Sequence, residues 1–120
     1  MERIREEDVL RSIMDYLAAK HIFALRMNSG TTLATHNGKT RAIRMHAPGT
    51  ADILAFPDFT VLSARPPHVA CFMPLPTWLE VKSPTGKQSE LQRSFQLQVQ
   101  QEGHRYAVVR SIEDVERILA

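Results

Sequence analysis

Glu80 and Lys82 stand two residues apart in the stretch Thr77 to Gln92, TWLEVKSPTGKQSELQ. Its opening run is β-branched and aromatic, alternates with period two and ends at the turn signal Ser83-Pro84-Thr85-Gly86, which predicts a strand. Alternation puts Trp78, Glu80 and Lys82 on one face and Leu79 and Val81 on the other. A carboxylate and an ammonium then reach toward one point. The carboxylate can hold a divalent cation, and the ammonium can steady an attacking water or a developing negative charge. The same tripeptide also describes a solvent-facing ion pair worth under about 1 kcal/mol, so partners elsewhere in the chain decide between the two.

Three further residues are candidates. Gly49-Thr50-Ala51-Asp52 reads as a tight turn that delivers Asp52 to the start of the apolar strand Ile53 to Phe56, at a sheet end where ligands collect. Aspartate is equally an ordinary turn residue. Glu6 falls within the apolar stripe Val9, Leu10, Ile13, Met14 and Leu17 of a first helix, where an unpartnered charge is costly. It also lies in the first turn, where the helix dipole favours acids. Gln92 lies at the sheet-facing margin of a later helix, and Ser89-x-x-Gln92 is also a capping box.

The elements that must position these residues follow from periodicity and turn chemistry. A helix is expected from Arg3 to about Lys20. A first strand spans His21 to Asn28 and ends at Ser29-Gly30. Asn37-Gly38 predicts a two-residue hairpin between Thr31 to Thr35 and Lys39 to Met45. Lys39, Arg41, Arg44 and His46 make that segment basic, a candidate phosphate contact or a solvated turn. The proline-rich segment from Pro57 to Pro76 reads as a long loop with a short strand at Val69 to Met73. Ser89 caps a helix that ends at Gly103, with Leu91, Phe95 and Val99 as its packed stripe. A strand Tyr106 to Arg110 and a terminal helix capped by Ser111-x-x-Asp114 close the chain. The whole predicts an α/β protein with a central mixed sheet flanked by helices in the order αβββαβ, followed by a short C-terminal helix.

With 120 residues, the chain suits one domain, residues 1–120. The charged fraction of 23% and hydrophobic fraction of 43% are ordinary for a globular protein. A net charge of +2 is too weak by itself to argue for nucleic acid. No run of eighteen apolar residues predicts a membrane span, and the charged start MERIREEDVL is unlike a secretory signal. The single cysteine, Cys71, precludes an intramolecular disulfide and favours a reducing, cytoplasmic setting. In its apolar context, VACFM, it reads as a small buried hydrophobe. Gly86-Lys87 resembles part of a phosphate-binding loop, but Val81 stands where the first glycine would be and Gln88 replaces the Ser or Thr. Neither a paired-cysteine zinc pattern nor a Gly-x-Ser-x-Gly elbow is present.

Taken together, an acid on the first helix, G-T-A-D before a strand, E-V-K on the next strand and a glutamine on the following helix resemble the PD-(D/E)XK nuclease superfamily. Within it, the chain is most similar to the VRR-NUC (virus-type replication-repair nuclease) family in the short stand-alone form found in phages. The resemblance runs from Glu6 to Val109 and includes Arg26-Met27-Asn28-Ser29-Gly30 and the basic segment before Gly49. The chain departs from it at Ala51, where the family usually has proline before the aspartate.

The resemblance implies that Asp52, Glu80 and the Val81 backbone carbonyl bind Mg²⁺ or Mn²⁺, with Glu6 completing the metal site, through water or directly. Lys82 becomes the catalytic lysine and Gln92 a supporting helix residue. DNA contacts are expected at Arg26, Asn28, Lys39, Arg41, Arg44 and Lys87. Hard oxygen ligands suit these cations. The expected activity is hydrolysis of DNA phosphodiesters in branched substrates such as four-way junctions, by a symmetric homodimer encoded in a phage or prophage. Two competing classes are a non-catalytic nucleic-acid-binding module on the same fold and a sequence-specific restriction-type endonuclease. Intact Glu6, Asp52, Glu80 and Lys82 argue against the first, and the short chain argues against the second.

Overall fold

Parallel pairing of two strands requires a crossover, and in this chain the crossover is the helix that follows the Glu80 strand. The computed structural model describes residues 5–27, 31–44, 48–62, 66 and 70–119, of which 31–36, 40–44, 59–62 and 70–74 are described by their backbone. The elements run α1 (Glu6–Ala19), β1 (Ala24–Arg26), β2 (Thr31–His36), β3 (Lys39–Arg44), β4 (Ile53–Ala55), β5 (Asp58–Leu62), β6 (Ala70–Pro74), β7 (Thr77–Val81), α2 (Glu90–Gln101), β8 (Arg105–Val109) and α3 (Ile112–Leu119). The protein is α/β. Its main sheet has the order β1-β4-β7-β8 and is mixed, with β7 antiparallel to β4 and parallel to β8. Among the described residues no helix is long and apolar enough to cross a membrane.

The alternation read from the sequence is realised on β7. Leu79 and Val81 are fully buried and join Ile53, Ala55 and Val109 in one cluster with Val9, Leu10, Ile13 and Leu17 of α1 and Val115 of α3. Burying each such aliphatic side chain contributes about 1.5 to 3 kcal/mol, so this face holds the sheet together. The opposite face, carrying Trp78 and Glu80, is covered by α2: Phe95 meets the Trp78 ring edge-on with centroids 4.9 Å apart. Core and chemistry thus occupy opposite faces of one strand.

Two ribbons interrupt the expected order of sheet strands. In β2–β3 the hairpin turn is Asn37-Gly38, with φ of 52° and 73°, the left-handed pair that the dipeptide favours. The second ribbon, β5–β6, corrects the expectation of a long loop from Pro57 to Pro76. Phe59-Thr60-Val61-Leu62 and Ala70-Cys71-Phe72-Met73 supply strand-forming runs, and the prolines lie at ribbon ends and in the connection, where ladder donors are dispensable. Neither ribbon packs against another element among the described residues. The radius of gyration is accordingly 17.3 Å, against about 14 Å for a compact domain of this length.

Two boundaries differ from the sequence reading. β1 covers only Ala24–Arg26, and on this edge strand Ala24 packs on the core while Phe23 and Leu25 are exposed. Leu91, expected in the packed stripe of α2, is 58% exposed. The helix starts at Glu90, directly after the expected Ser89 cap, and Leu91 lies in its first turn. The inward face is instead Gln92, Phe95, Gln96 and Val99, spaced three and four apart.

Leu91 matters through its backbone. Gly49 has φ of +88° and approaches α2 so closely that a Cβ there would stand 2.5 Å from the Leu91 carbonyl oxygen. The turn carrying Asp52 is thereby seated on the first turn of the helix carrying Gln92. Gly49→Ala should lower the melting temperature, with about 1 to 2 kcal/mol lost to the left-handed backbone alone and more to the collision. An unchanged melt would show that the turn and helix are not in contact.

Candidate active site

Asp52 stands where the β4–β7 ladder ends. The last registered pair on that side is Ile53 with Leu79, so Asp52 and Glu80 follow as the next opposed residues. The Asp52 backbone still pairs outward, its carbonyl accepting from Met27 N at 2.7 Å. Its side chain turns inward, and Oδ2 accepts the Val81 N–H at 2.8 Å. The N–H and C=O of one strand residue point to the same edge, so the Val81 carbonyl opens on the side of the Asp52 carboxylate.

Glu80 is 1% exposed. Its Oε1 accepts from Gln92 Nε2 at 2.7 Å and lies 3.8 Å from Lys82 Nζ. Its Oε2 is buried and accepts no hydrogen bond. The carboxyl is pushed up to about 8, first by burial and next by the charge of Asp52, with Lys82 partly offsetting both. A hydrogen bond that the protonated group shares with Asp52, and the charge of Glu6, raise it further. Two ionised carboxylates have no hydrogen to share, so without a cation the pair favours holding a proton.

Gln92 makes the capping box and also reaches Glu80. Its Oε1 accepts the Ser89 N–H at 2.8 Å while Ser89 Oγ accepts the Gln92 N–H at 3.2 Å, completing the capping box. Its Nε2 donates to Glu80. One end of the amide closes the helix and the other aims the carboxylate.

Glu6 opens α1 and is exposed, as a first-turn acid would be. Its pKa is nonetheless raised, by partial burial first, with Lys82 lowering it and Asp52 raising it. The N-terminus of α1 therefore borders the site. Of the expected DNA contacts, Arg26, Lys39 and Lys87 are exposed. Asn28 lies outside the described residues, as do the side chains of Arg41 and Arg44.

Other site neighbours carried no local sequence signal. Gln88 Nε2 donates to Gln96 Oε1 at 3.0 Å and to the Tyr106 hydroxyl at 2.9 Å. Tyr106 is pushed up to about 12, by burial and then by the charge of Glu80, with the Gln88 bond pulling the other way and Asp52 adding a smaller rise.

Among the described residues, no three His, Cys, Asp or Glu side chains converge closely enough to hold a metal ion. What converges is a pair of buried carboxylates. Glu80 Oε2 accepts no hydrogen bond, and the Val81 carbonyl opens on the Asp52 side. This hard-oxygen set fits Mg²⁺ or Mn²⁺ with most of the coordination left to water. No known protein family, curated protein or solved structure matches the chain.

Two predictions follow from this geometry. In the absence of divalent cations the folded chain keeps the Glu80 proton up to about pH 8, whereas the unfolded chain releases it in the ordinary glutamate range, near about 4.3. Stability should therefore fall as pH rises through that window and level off above it. Glu80→Gln should flatten the slope in a pH series of melts, and an equally steep slope in the variant would assign the proton elsewhere. Gln92→Ala should lose about 1 kcal/mol or more, through the broken capping box and the lost bond to Glu80. Gln92→Glu keeps the cap acceptor but sets a third carboxylate against Glu80, so it should melt near wild type at pH 5 and well below it at pH 8.

Proposed function

We propose that the protein is a metal-dependent nuclease of the PD-(D/E)XK type that hydrolyses DNA phosphodiesters. The observation that carries this reading is the buried Glu80 carboxylate, unpartnered at Oε2, opposed to Asp52 and with Lys82 Nζ 3.8 Å from its other oxygen. Burying two acids side by side is costly, and a divalent cation is the partner that turns the cost into binding. A module that only bound nucleic acid would gain nothing from carboxylates that repel phosphate.

In this reading Asp52, Glu80 and the Val81 carbonyl would hold the cation, with Glu6 at the border of the site adding its charge. When bound, the cation would neutralise charge on the phosphoryl oxygens and make its water more acidic. Gln92 fixes Glu80 Oε1, which leaves Oε2 for the metal. Lys82, held beside Glu80, orients the attacking water and stabilises the extra negative charge that develops on the phosphate. The Glu80 proton must leave when the cation enters, so affinity for the cation rises with pH.

The substrate class is branched DNA, with four-way junctions the case that the family resemblance favours. Two opposed incisions then call for two sites related by a two-fold axis, and a closed homodimer supplies them. Lys39, Arg41 and Arg44 lie on one ribbon that stands apart from the core, a position suited to backbone phosphates.

The deciding experiment is cleavage of duplex, flap, single-stranded and four-way DNA with and without Mg²⁺ or Mn²⁺. Lys82→Ala and Glu80→Gln should each lose about 100-fold or more in rate while still folding. Asp52→Asn should also weaken Mn²⁺ binding by calorimetry. Full turnover by either of the first two variants would remove the site assignment.

A further inference from the structure

Lys82 and Arg110 continue the parallel ladder one step beyond its last registered pair, Val81 with Val109. The Lys82 N–H donates to the Val109 carbonyl at 3.0 Å, which carries the pairing to that step. Paired residues of adjacent strands share a face, so Arg110 stands beside Lys82 on the face of Glu80. Two cations side by side repel, and the guanidinium is turned elsewhere. Its Nη1 donates to the carbonyls of Ser83 and Gly86, both at 2.7 Å.

Those carbonyls belong to the turn that follows Lys82. The Gly86 N–H donates to Ser83 O at 3.1 Å, closing the turn, and Arg110 bonds both its first and its last carbonyl. Charged donors make these bonds about twice as strong as neutral ones. The closed turn lies along the lysine: a Cβ on Gly86 would be 3.4 Å from Lys82 Cδ and 3.1 Å from Ser83 Oγ. Lys82 is only 9% exposed, although a lysine stem ordinarily reaches freely into solvent. The anchor itself is fixed, because the Arg110 N–H donates to Asp114 Oδ2 at 2.8 Å in the first turn of α3.

We infer that Arg110 is a positioning residue: it straps the Ser83–Gly86 turn against the Lys82 side chain and so holds the ammonium beside Glu80. An arginine serving only to stabilise a turn would leave Lys82 indifferent to its loss. The strap itself is independent of the reaction, while its effect on turnover rests on the nuclease reading given above.

The test compares wild type, Arg110→Met and Arg110→Lys in three measurements. The first is the acylation rate of each lysine by an N-hydroxysuccinimide ester, followed by mass spectrometry with Lys20 and Lys87 as internal references. The others are Mn²⁺ affinity by calorimetry, and kcat and KM for metal-dependent DNA cleavage. Arg110→Met should accelerate Lys82 acylation several-fold relative to Lys20, leave Mn²⁺ affinity unchanged and lower kcat by about 10- to 100-fold with little change in KM. Arg110→Lys, which keeps the charge but not the fork, should fall between. Unchanged Lys82 acylation in both variants overturns the strap, whatever happens to turnover. If Arg110→Met does not fold, the Arg110→Lys acylation rate decides. Should the wild-type chain cut no DNA, the nuclease reading fails, and the acylation comparison still judges the strap.

Discussion

Two acids opposed on adjacent strands, one of them sealed from water, set the terms for everything around them. Like charges directly across a ladder repel, and burial amplifies the repulsion because little solvent screens it. The surrounding groups answer in turn. The Val81 N–H binds Asp52, the Gln92 amide binds Glu80, and the Lys82 ammonium lies beside Glu80. The aliphatic cluster on the other face of the sheet makes such a polar arrangement tolerable. The Asp52 contact also marks the end of β4 at Ile53: one further ladder bond would join Val81 to Ala51, and the Asp52 side chain takes the Val81 N–H instead.

The helix after β7 does more than cross over to β8. Its capping box and its grip on Glu80 use the same glutamine, so helix start and carboxylate orientation cannot drift apart. Gly49 ties the Asp52 turn to that same first turn. Asp52 before β4, Glu80 of β7 and Gln92 of α2 are thus tied to the segment around Ser89. The polar groups on this face are therefore held in place by the fold itself.

What could be read from the sequence was local. The Glu-x-Lys strand, the Asn-Gly hairpin, the Ser89 cap and the Gly103 stop each depend on residues within a few positions of one another, and each stands where its pattern put it. The misread parts depend on neighbours far along the chain. Whether Phe59 to Met73 forms a loop or a ribbon turns on pairing that prolines at its ends obscure. Leu91 looked like core because helical spacing says nothing about where the sheet stops. Arg110 had no motif at all, since its partners, Ser83 and Gly86, lie 27 and 24 residues earlier. Even the cap on α3 shows this limit: Asp114 accepts from Arg110 rather than from Ser111, one residue away from the box the pattern implies. The nuclease assignment belongs to a different order of inference, because it rests on chemistry that the fold makes possible.

The indole of Trp78, the only tryptophan in the chain, has a position that gives it a second meaning. It lies two residues before Glu80 on the same face, donates its N–H to His104 Nδ1 at 3.0 Å and meets Phe95 edge-on. The bond and the ring contact together seat the fluorophore between the sheet and α2. Light absorbed by this protein is therefore emitted from the floor of its polar layer, and intrinsic fluorescence becomes a label-free optical gauge of events between the sheet and α2.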